Sequence, residues 1–143
     1  MRLEDLMEEF RNIFNNQRDK GTKFEDIILN YFMLEPLYSS QIENIWKWSD
    51  FPYRSKVGDI GIDLVAKTYT DEYWAIQCKF YDISYTINKA DVDTFLATSS
   101  KAFYIGEKKT FFNYRILVST TDKSGKNAED VLYHQSPEVI RIG

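Results

Sequence analysis

The sequence predicts an α/β domain in which helices flank a mixed central β-sheet, with the element order ααβββαβαβ. Four stretches carry apolar residues at helical spacing, and five others alternate or form short apolar runs in the manner of strands. The chain has 143 residues, of which 43% are hydrophobic. This length and composition suit a single domain with its own core.

Two amphipathic helices are predicted near the N-terminus, over residues 2–16 and 22–34. The polar stretch at 15–21 is expected to end the first of them. Glu25 stands three residues after Thr22, which is the spacing of a capping box that would serve the helix without any chemistry.

Three strands are predicted next. Residues 42–48 alternate between apolar and polar side chains, and residues 61–69 and 73–81 are expected to form a hairpin around 70–72.

The second half of the chain predicts a helix, a strand, a short helix and a last strand. Asn88 is a suitable cap for the first of these helices. The strand over 112–120 contains an Ile-Leu-Val run at 116–118, which indicates burial on both faces. The short helix follows over 127–135, and the last strand over 139–142.

Polar side chains interrupt the apolar hairpin at three positions. Asp63 lies on its first strand, and Gln77 and Lys79 lie on its second. Strand interiors rarely carry Asp and Lys on a mostly apolar surface. An oxygen site with an ammonium group beside it suits a divalent metal and a phosphate. The pattern therefore indicates metal-dependent cleavage of a phosphodiester.

The hairpin register decides whether these groups can meet. Asp63 shares a sheet face with Gln77 and Lys79 only if paired positions sum to an even number. A two-residue loop would set Asp63 opposite Cys78, with its partners on the other face. A three-residue loop at 70–72 would set Asp63 opposite Lys79. The hypothesis thus requires an odd loop or a bulge.

The Gly-Ile-Asp-Leu approach at 61–64 and the Gln-Cys-Lys triplet at 77–79 resemble the PD-(D/E)XK, or restriction-endonuclease-like, nuclease superfamily. Within it, the Mrr-like branch with its Gln-x-Lys element is the most similar. More narrowly, the chain resembles the N-terminal nuclease domain of Type ISP restriction-modification enzymes and predicted helicases. It departs from the superfamily pattern at Ile62, in place of Pro, and at Gln77, in place of a second carboxylate.

The resemblance implies a role for each matching position and a restriction-endonuclease-like core. Asp63 would bind Mg²⁺, for which Mn²⁺ can substitute, and the backbone carbonyl of Cys78 would supply a second oxygen. Gln77 would occupy the place of the second acid as a weaker ligand. Lys79 would orient or activate the attacking water, and Glu25 would reach the metal through water.

Two further residues are candidates on weaker grounds. Asp59 is close enough in sequence to contribute to the site, although it is equally well a turn residue. Lys89 lies in the first turn of a predicted helix, where a cation opposes the helix dipole, so a phosphate contact would explain it.

The net charge is −4, yet residues 101–126 hold six basic and two acidic residues. This segment is either a phosphate-facing surface or a solvated loop. Its basic residues are Lys101, Lys108, Lys109, Arg115, Lys123 and Lys126.

The expected setting is cytoplasmic, since one cysteine excludes an internal disulfide and no apolar run is long enough to cross a bilayer. The resemblance implies double-stranded DNA as partner, together with helicase and methyltransferase domains of one longer polypeptide. The chain stops within a predicted strand, so it is expected to be excised from the N-terminus of a larger enzyme, or else to be a short protein ending in an edge strand. An inactive DNA-binding module and a protein-interaction domain are the alternative functions.

Overall fold

The computed structural model describes residue 5 and residues 17–54, 61–79, 86–119 and 139–142. Within these residues, helices pack on both faces of a mixed sheet, as predicted. The helices are α1 (Gln17–Leu34), α2 (Pro36–Ser39) and α3 (Lys89–Ser99), with a 3-10 turn at Trp48–Asp50. The strands are β1 (Ile42–Lys47), β2 (Leu64–Thr68), β3 (Tyr73–Lys79), β4 (Phe103–Ile105), β5 (Lys108–Thr110), β6 (Tyr114–Ser119) and β7 (Val139–Ile142). None of the helices in the described part of the chain is long and apolar enough to cross a membrane.

Five strands form the main sheet in the order β1-β2-β3-β6-β7. The pairs β1/β2 and β2/β3 are antiparallel, whereas β3/β6 and β6/β7 are parallel. Strand β6 therefore has a neighbour on each side, and its Ile-Leu-Val run at 116–118 is buried. The prediction that this strand is covered on both faces is confirmed.

Each face of the sheet has its own apolar core, because side chains alternate along the strands. On the α1 face, Phe24, Ile28 and Phe32 pack over even-numbered strand residues such as Trp74 and Ile76. The α3 face joins helix residues to odd-numbered strand residues and to a group of aromatic rings, which are Phe51, Tyr73, Phe103 and Phe112.

Helix α1 begins at Gln17, five residues earlier than predicted. The expectation that 15–21 interrupts the helices is therefore wrong for residues 17–21. Gln17, Arg18 and Lys20 are good helix formers, and an interior glycine such as Gly21 costs only about 1 kcal/mol. Of the helix predicted over 2–16, only Asp5 lies in the described residues, and it is helical.

A second hairpin, β4–β5, was not predicted. Its two-residue loop, Gly106 and Glu107, has a glycine with φ +63° at the first position, which is the residue that tight hairpin turns favour. The short helix expected over 127–135 lies outside the described residues. The last strand is confirmed at Val139–Ile142.

The β2–β3 hairpin has the parity that the site requires but a different register. Leu64 pairs with Ile76, so paired positions sum to an even number, and the paired stretch begins one residue after Asp63, whose N–H donates to the Ile76 carbonyl. The predicted pairing of Asp63 with Lys79 is therefore wrong by two residues.

The turn chemistry explains this register. Thr68 Oγ1 accepts hydrogen bonds from the backbone nitrogens of Thr70 (3.3 Å) and Glu72 (3.0 Å). Thr68 N also donates to Glu72 O at 2.9 Å. These bonds make 69–71 the three-residue loop, in which Asp71 adopts φ +62°.

Candidate active site

Backbone hydrogen bonds fix Asp63 between two strands at the entrance to β2. Its N–H donates to the carbonyl of Ile76 and its carbonyl accepts from Trp48 N, both at 2.9 Å. Its side-chain Oδ2 accepts from Cys78 N at 2.7 Å. The carboxylate is therefore held against β3 before any ligand arrives.

Gln77 is 4% exposed, and its Oε1 has no hydrogen-bond partner in the described part of the structure. A buried amide oxygen without a donor costs roughly 1–3 kcal/mol. Such a cost is offset when a cation binds the oxygen. This orphaned acceptor lies on β3 two residues before Lys79, and an amide oxygen without a donor fits a metal ligand.

Cys78 contributes its backbone rather than its thiol. In a strand, the N–H and C=O of one residue point to the same neighbouring strand. Because Cys78 N donates to Asp63, the Cys78 carbonyl is directed to that same side. Burial and the nearby carboxylates of Asp63 and Glu25 raise the pKa of the thiol, and the side chain packs against the α1-face core. A neutral thiol is neither a nucleophile nor a metal ligand.

Glu25 reaches the site from the middle of α1. Burial, and then the charge of Asp63 and a hydrogen bond to its carboxyl group, raise the pKa of Glu25 to about 7. Burial also raises the pKa of Asp63, against the opposing effects of the Cys78 N–H, Glu25 and Lys79. The two carboxyl groups therefore share a proton near neutral pH, which a divalent cation could replace. The capping-box interpretation is wrong, because Thr22 lies five residues inside the helix.

Two lysines flank the carboxylates. Lys79 is the half-buried last residue of β3, and its charge acts on Asp63. Lys47, at the end of β1, pairs with Asp26 at 2.5 Å, and its charge opposes the rise in the pKa of Glu25. Sequence reasoning missed Lys47 because only the packing of α1 on the sheet brings it near these acids.

Other predicted residues are not brought to this cluster. Lys89 is exposed and pairs with Asp93 at 2.9 Å on the same helix. Arg115 is 0% exposed, so its assignment to a phosphate-facing surface is wrong. Burial lowers the pKa of Arg115, whose Nη1 donates to Ser99 Oγ at 3.5 Å. Asp59 and two of the predicted basic residues, Lys123 and Lys126, lie outside the described ranges.

The donors that converge here are oxygens. Over the residues that the structure describes, no three His, Cys, Asp or Glu side chains cluster as a metal site. The carboxyl groups of Asp63 and Glu25 are hydrogen-bonded to each other, and carboxylate oxygens suit a hard cation such as Mg²⁺.

Comparison with known proteins supports a nuclease. A family model for an Mrr catalytic domain, described as a restriction endonuclease, matches residues 33–143. Among solved structures, the chain is similar to an ATP-dependent Type ISP restriction-modification enzyme, LlaBIII, bound to DNA, with a TM-score of 0.70 and 26% identity. That match covers 95% of this chain and 8% of the larger enzyme. No curated protein matches the chain.

Proposed function

The chain belongs to the restriction endonuclease family, and from this premise we propose that it is a Mg²⁺-dependent endodeoxyribonuclease domain that nicks double-stranded DNA. The observation that carries the proposal is the pair of carboxyl groups of Asp63 and Glu25 near the charge of Lys79, with Asp63 already fixed by the Cys78 N–H. Among the described residues no group donates to the Gln77 oxygen on the same strand as Lys79, so this oxygen would be available as a further ligand.

Some of these residues would bind the cation, and others would act on the water and its proton. Asp63, Gln77 Oε1 and the Cys78 carbonyl would hold the cation, which would supply Lewis-acid chemistry when bound. Lys79 would orient the attacking water and offset negative charge that develops on the phosphate. Glu25, with a pKa of about 7, is suited to hold or release a proton at neutral pH. Water attack would leave 5′-phosphate and 3′-hydroxyl ends.

The proposed setting is a Type ISP-like restriction-modification enzyme, in which helicase and methyltransferase domains supply movement and sequence choice. The similarity to an enzyme of this class supports it. One such site cuts one strand, so a double-strand break would require two domains or two events.

Nicking of supercoiled plasmid in Mg²⁺ or Mn²⁺ tests this function. We expect wild-type activity, and loss of at least a hundredfold in Asp63→Ala and in Lys79→Ala, because the first removes a ligand of the cation and the second removes the positive charge that offsets charge on the phosphate. Glu107→Ala is the matched control, since Glu107 is an exposed acid on the β4–β5 turn. Equal nicking by wild type and Asp63→Ala would contradict the assignment.

An inactive DNA-binding module is the second candidate, and the amide of Gln77 in place of a carboxylate favours it. This candidate predicts duplex binding without nicking in either metal, both for the domain alone and in its full-length parent. Metal-dependent nicking that disappears in Asp63→Ala would exclude it.

A further inference from the structure

The β4–β5 hairpin has one buried and one exposed face. On the inner face, Phe103 is buried with its ring 5.1 Å from that of Tyr73, and Ile105 packs against the same core. Tyr104 and Lys109 pair directly across the two strands, so they share the outer face. The packing of the hairpin on the domain is thus accounted for by its inner residues.

Two aromatic rings on the outer side of the hairpin are exposed to solvent. Tyr104 is 57% exposed and Phe111, just after β5, is 52% exposed. Lys109 Nζ lies 5.6 Å from the centre of the Phe111 ring. Large exposed rings at positions that a surface hairpin would fill with polar groups suggest a binding surface.

The charge around these rings is positive. Residues 101–110 contain three lysines, Lys101, Lys108 and Lys109, and one acid, Glu107. All four side chains are exposed. Lysines interleaved with open aromatic rings are the chemistry that recognises phosphates and unpaired bases together.

We propose that the outer face of the β4–β5 hairpin binds single-stranded nucleic acid, with bases stacked on Tyr104 and Phe111 and a phosphate beside Lys109. A duplex keeps its bases stacked within itself, so open rings favour an unpaired strand. Phe103 anchors the hairpin at the Tyr73 end of β3, whereas Lys79 lies at the other end, about 20 Å away at the usual strand rise. This surface is therefore separate from the cleavage site and does not depend on the proposed function.

Fluorescence anisotropy with a labelled oligothymidylate of about twelve nucleotides, in EDTA and at about 50 mM salt, tests the proposal. Wild type is expected to bind this strand more tightly than a duplex of equal length. The double variant Tyr104→Ala/Phe111→Ala should weaken single-strand binding by roughly tenfold or more. Lys109→Gln should also weaken single-strand binding. The slope of the logarithm of the binding constant against the logarithm of salt concentration should become shallower by about 0.7.

Controls separate this surface from other sites. Tyr69→Ala removes an exposed ring on the β2–β3 turn (66% exposed) and should bind as wild type does. An oligouridylate arm distinguishes RNA from DNA as the favoured strand. The proposal is overturned if wild type binds neither the oligothymidylate nor the oligouridylate. It is also overturned if the folded double variant binds them as tightly as wild type does. Equal losses for strand and duplex would overturn stacking as the mode of binding.

Discussion

At the scale of single residues, the carboxyl groups of Glu25 and Asp63 repel each other, and within the described residues the amide oxygen of Gln77 accepts no hydrogen bond. Glu25 and Asp63 share a proton because burial and mutual repulsion make two charges costly. Gln77 adds an oxygen without adding charge, so the metal-free site is less strained than three carboxylates would be. Without a metal, these features raise the free energy of the folded state, and a bound divalent cation would offset that cost.

Glu25 gives a pH-dependent prediction. Its pKa rises from 4.5 to about 7 on folding. The folded state then binds the proton more tightly, so the contribution of Glu25 to the stability of the metal-free domain is largest below pH 4.5 and is lost as the pH rises through about 7. Because Glu25 is partly exposed, we expect Glu25→Gln to stabilise the domain by only about 1 kcal/mol, or roughly 4 °C, at pH 8 in EDTA.

Thermal unfolding at pH 8 and pH 5.5 measures this effect. The gain should shrink at the lower pH, where wild-type Glu25 is already protonated. Glu107→Gln, at an exposed acid, should change neither melting temperature. A gain for Glu25→Gln that is equal at both pH values would contradict the shared proton.

At the scale of elements, the approach to β2 is set by a glycine that touches α3. Gly61 has φ +96°, and a Cβ there would lie 2.8 Å from Phe95 N and 3.0 Å from Thr94 C. The atoms in the way are helix backbone, which cannot move aside cheaply. This contact positions the residues that lead to Asp63. Helix α3 therefore supports the site without contributing a ligand.

Gly61→Ala should destabilise the domain by roughly 2–3 kcal/mol, because it combines backbone strain with a clash. Gly106→Ala is a matched control, since Gly106 also has positive φ, at +63°, but a Cβ there would meet nothing within 4 Å. It should cost about 1 kcal/mol. Urea unfolding measures the free energy of unfolding of both variants. Equal losses would show that the contact with α3 does not contribute to stability.

At the scale of the whole molecule, the sheet gathers groups from distant parts of the chain. Glu25 comes from α1, Asp63 from the entrance to β2, and Gln77 and Lys79 from β3. A cation bound among them would join three elements that the apolar cores already hold together. Metal binding should therefore stabilise the entire fold and not only the site.

Mn²⁺ at about 100 times its dissociation constant should stabilise the wild-type domain by about 2.7 kcal/mol. Asp63→Ala should lose most of this gain, whereas the exposed control Glu107→Ala should keep it. Differential scanning calorimetry with and without metal gives the shift independently of any cleavage. Equal shifts in wild type and Asp63→Ala would remove Asp63 from the set of ligands.

The candidate site residues were proposed from the sequence, because an acid and a lysine in apolar strands contradict a local pattern, and their roles stay predictions. The even parity of the hairpin followed from the same pattern, as did the strands at Ile42–Lys47 and Val139–Ile142. Alternation and helical spacing are local properties, so they carry this information without the fold.

Tertiary structure decided which distant groups meet. The contact of Glu25 with Asp63 and the ion pair of Lys47 with Asp26 depend on how α1 crosses the sheet. The burial of Arg115 likewise follows from the central place of β6 between two parallel neighbours. No spacing in the chain specifies such packing, because it depends on contacts between segments that are far apart in sequence.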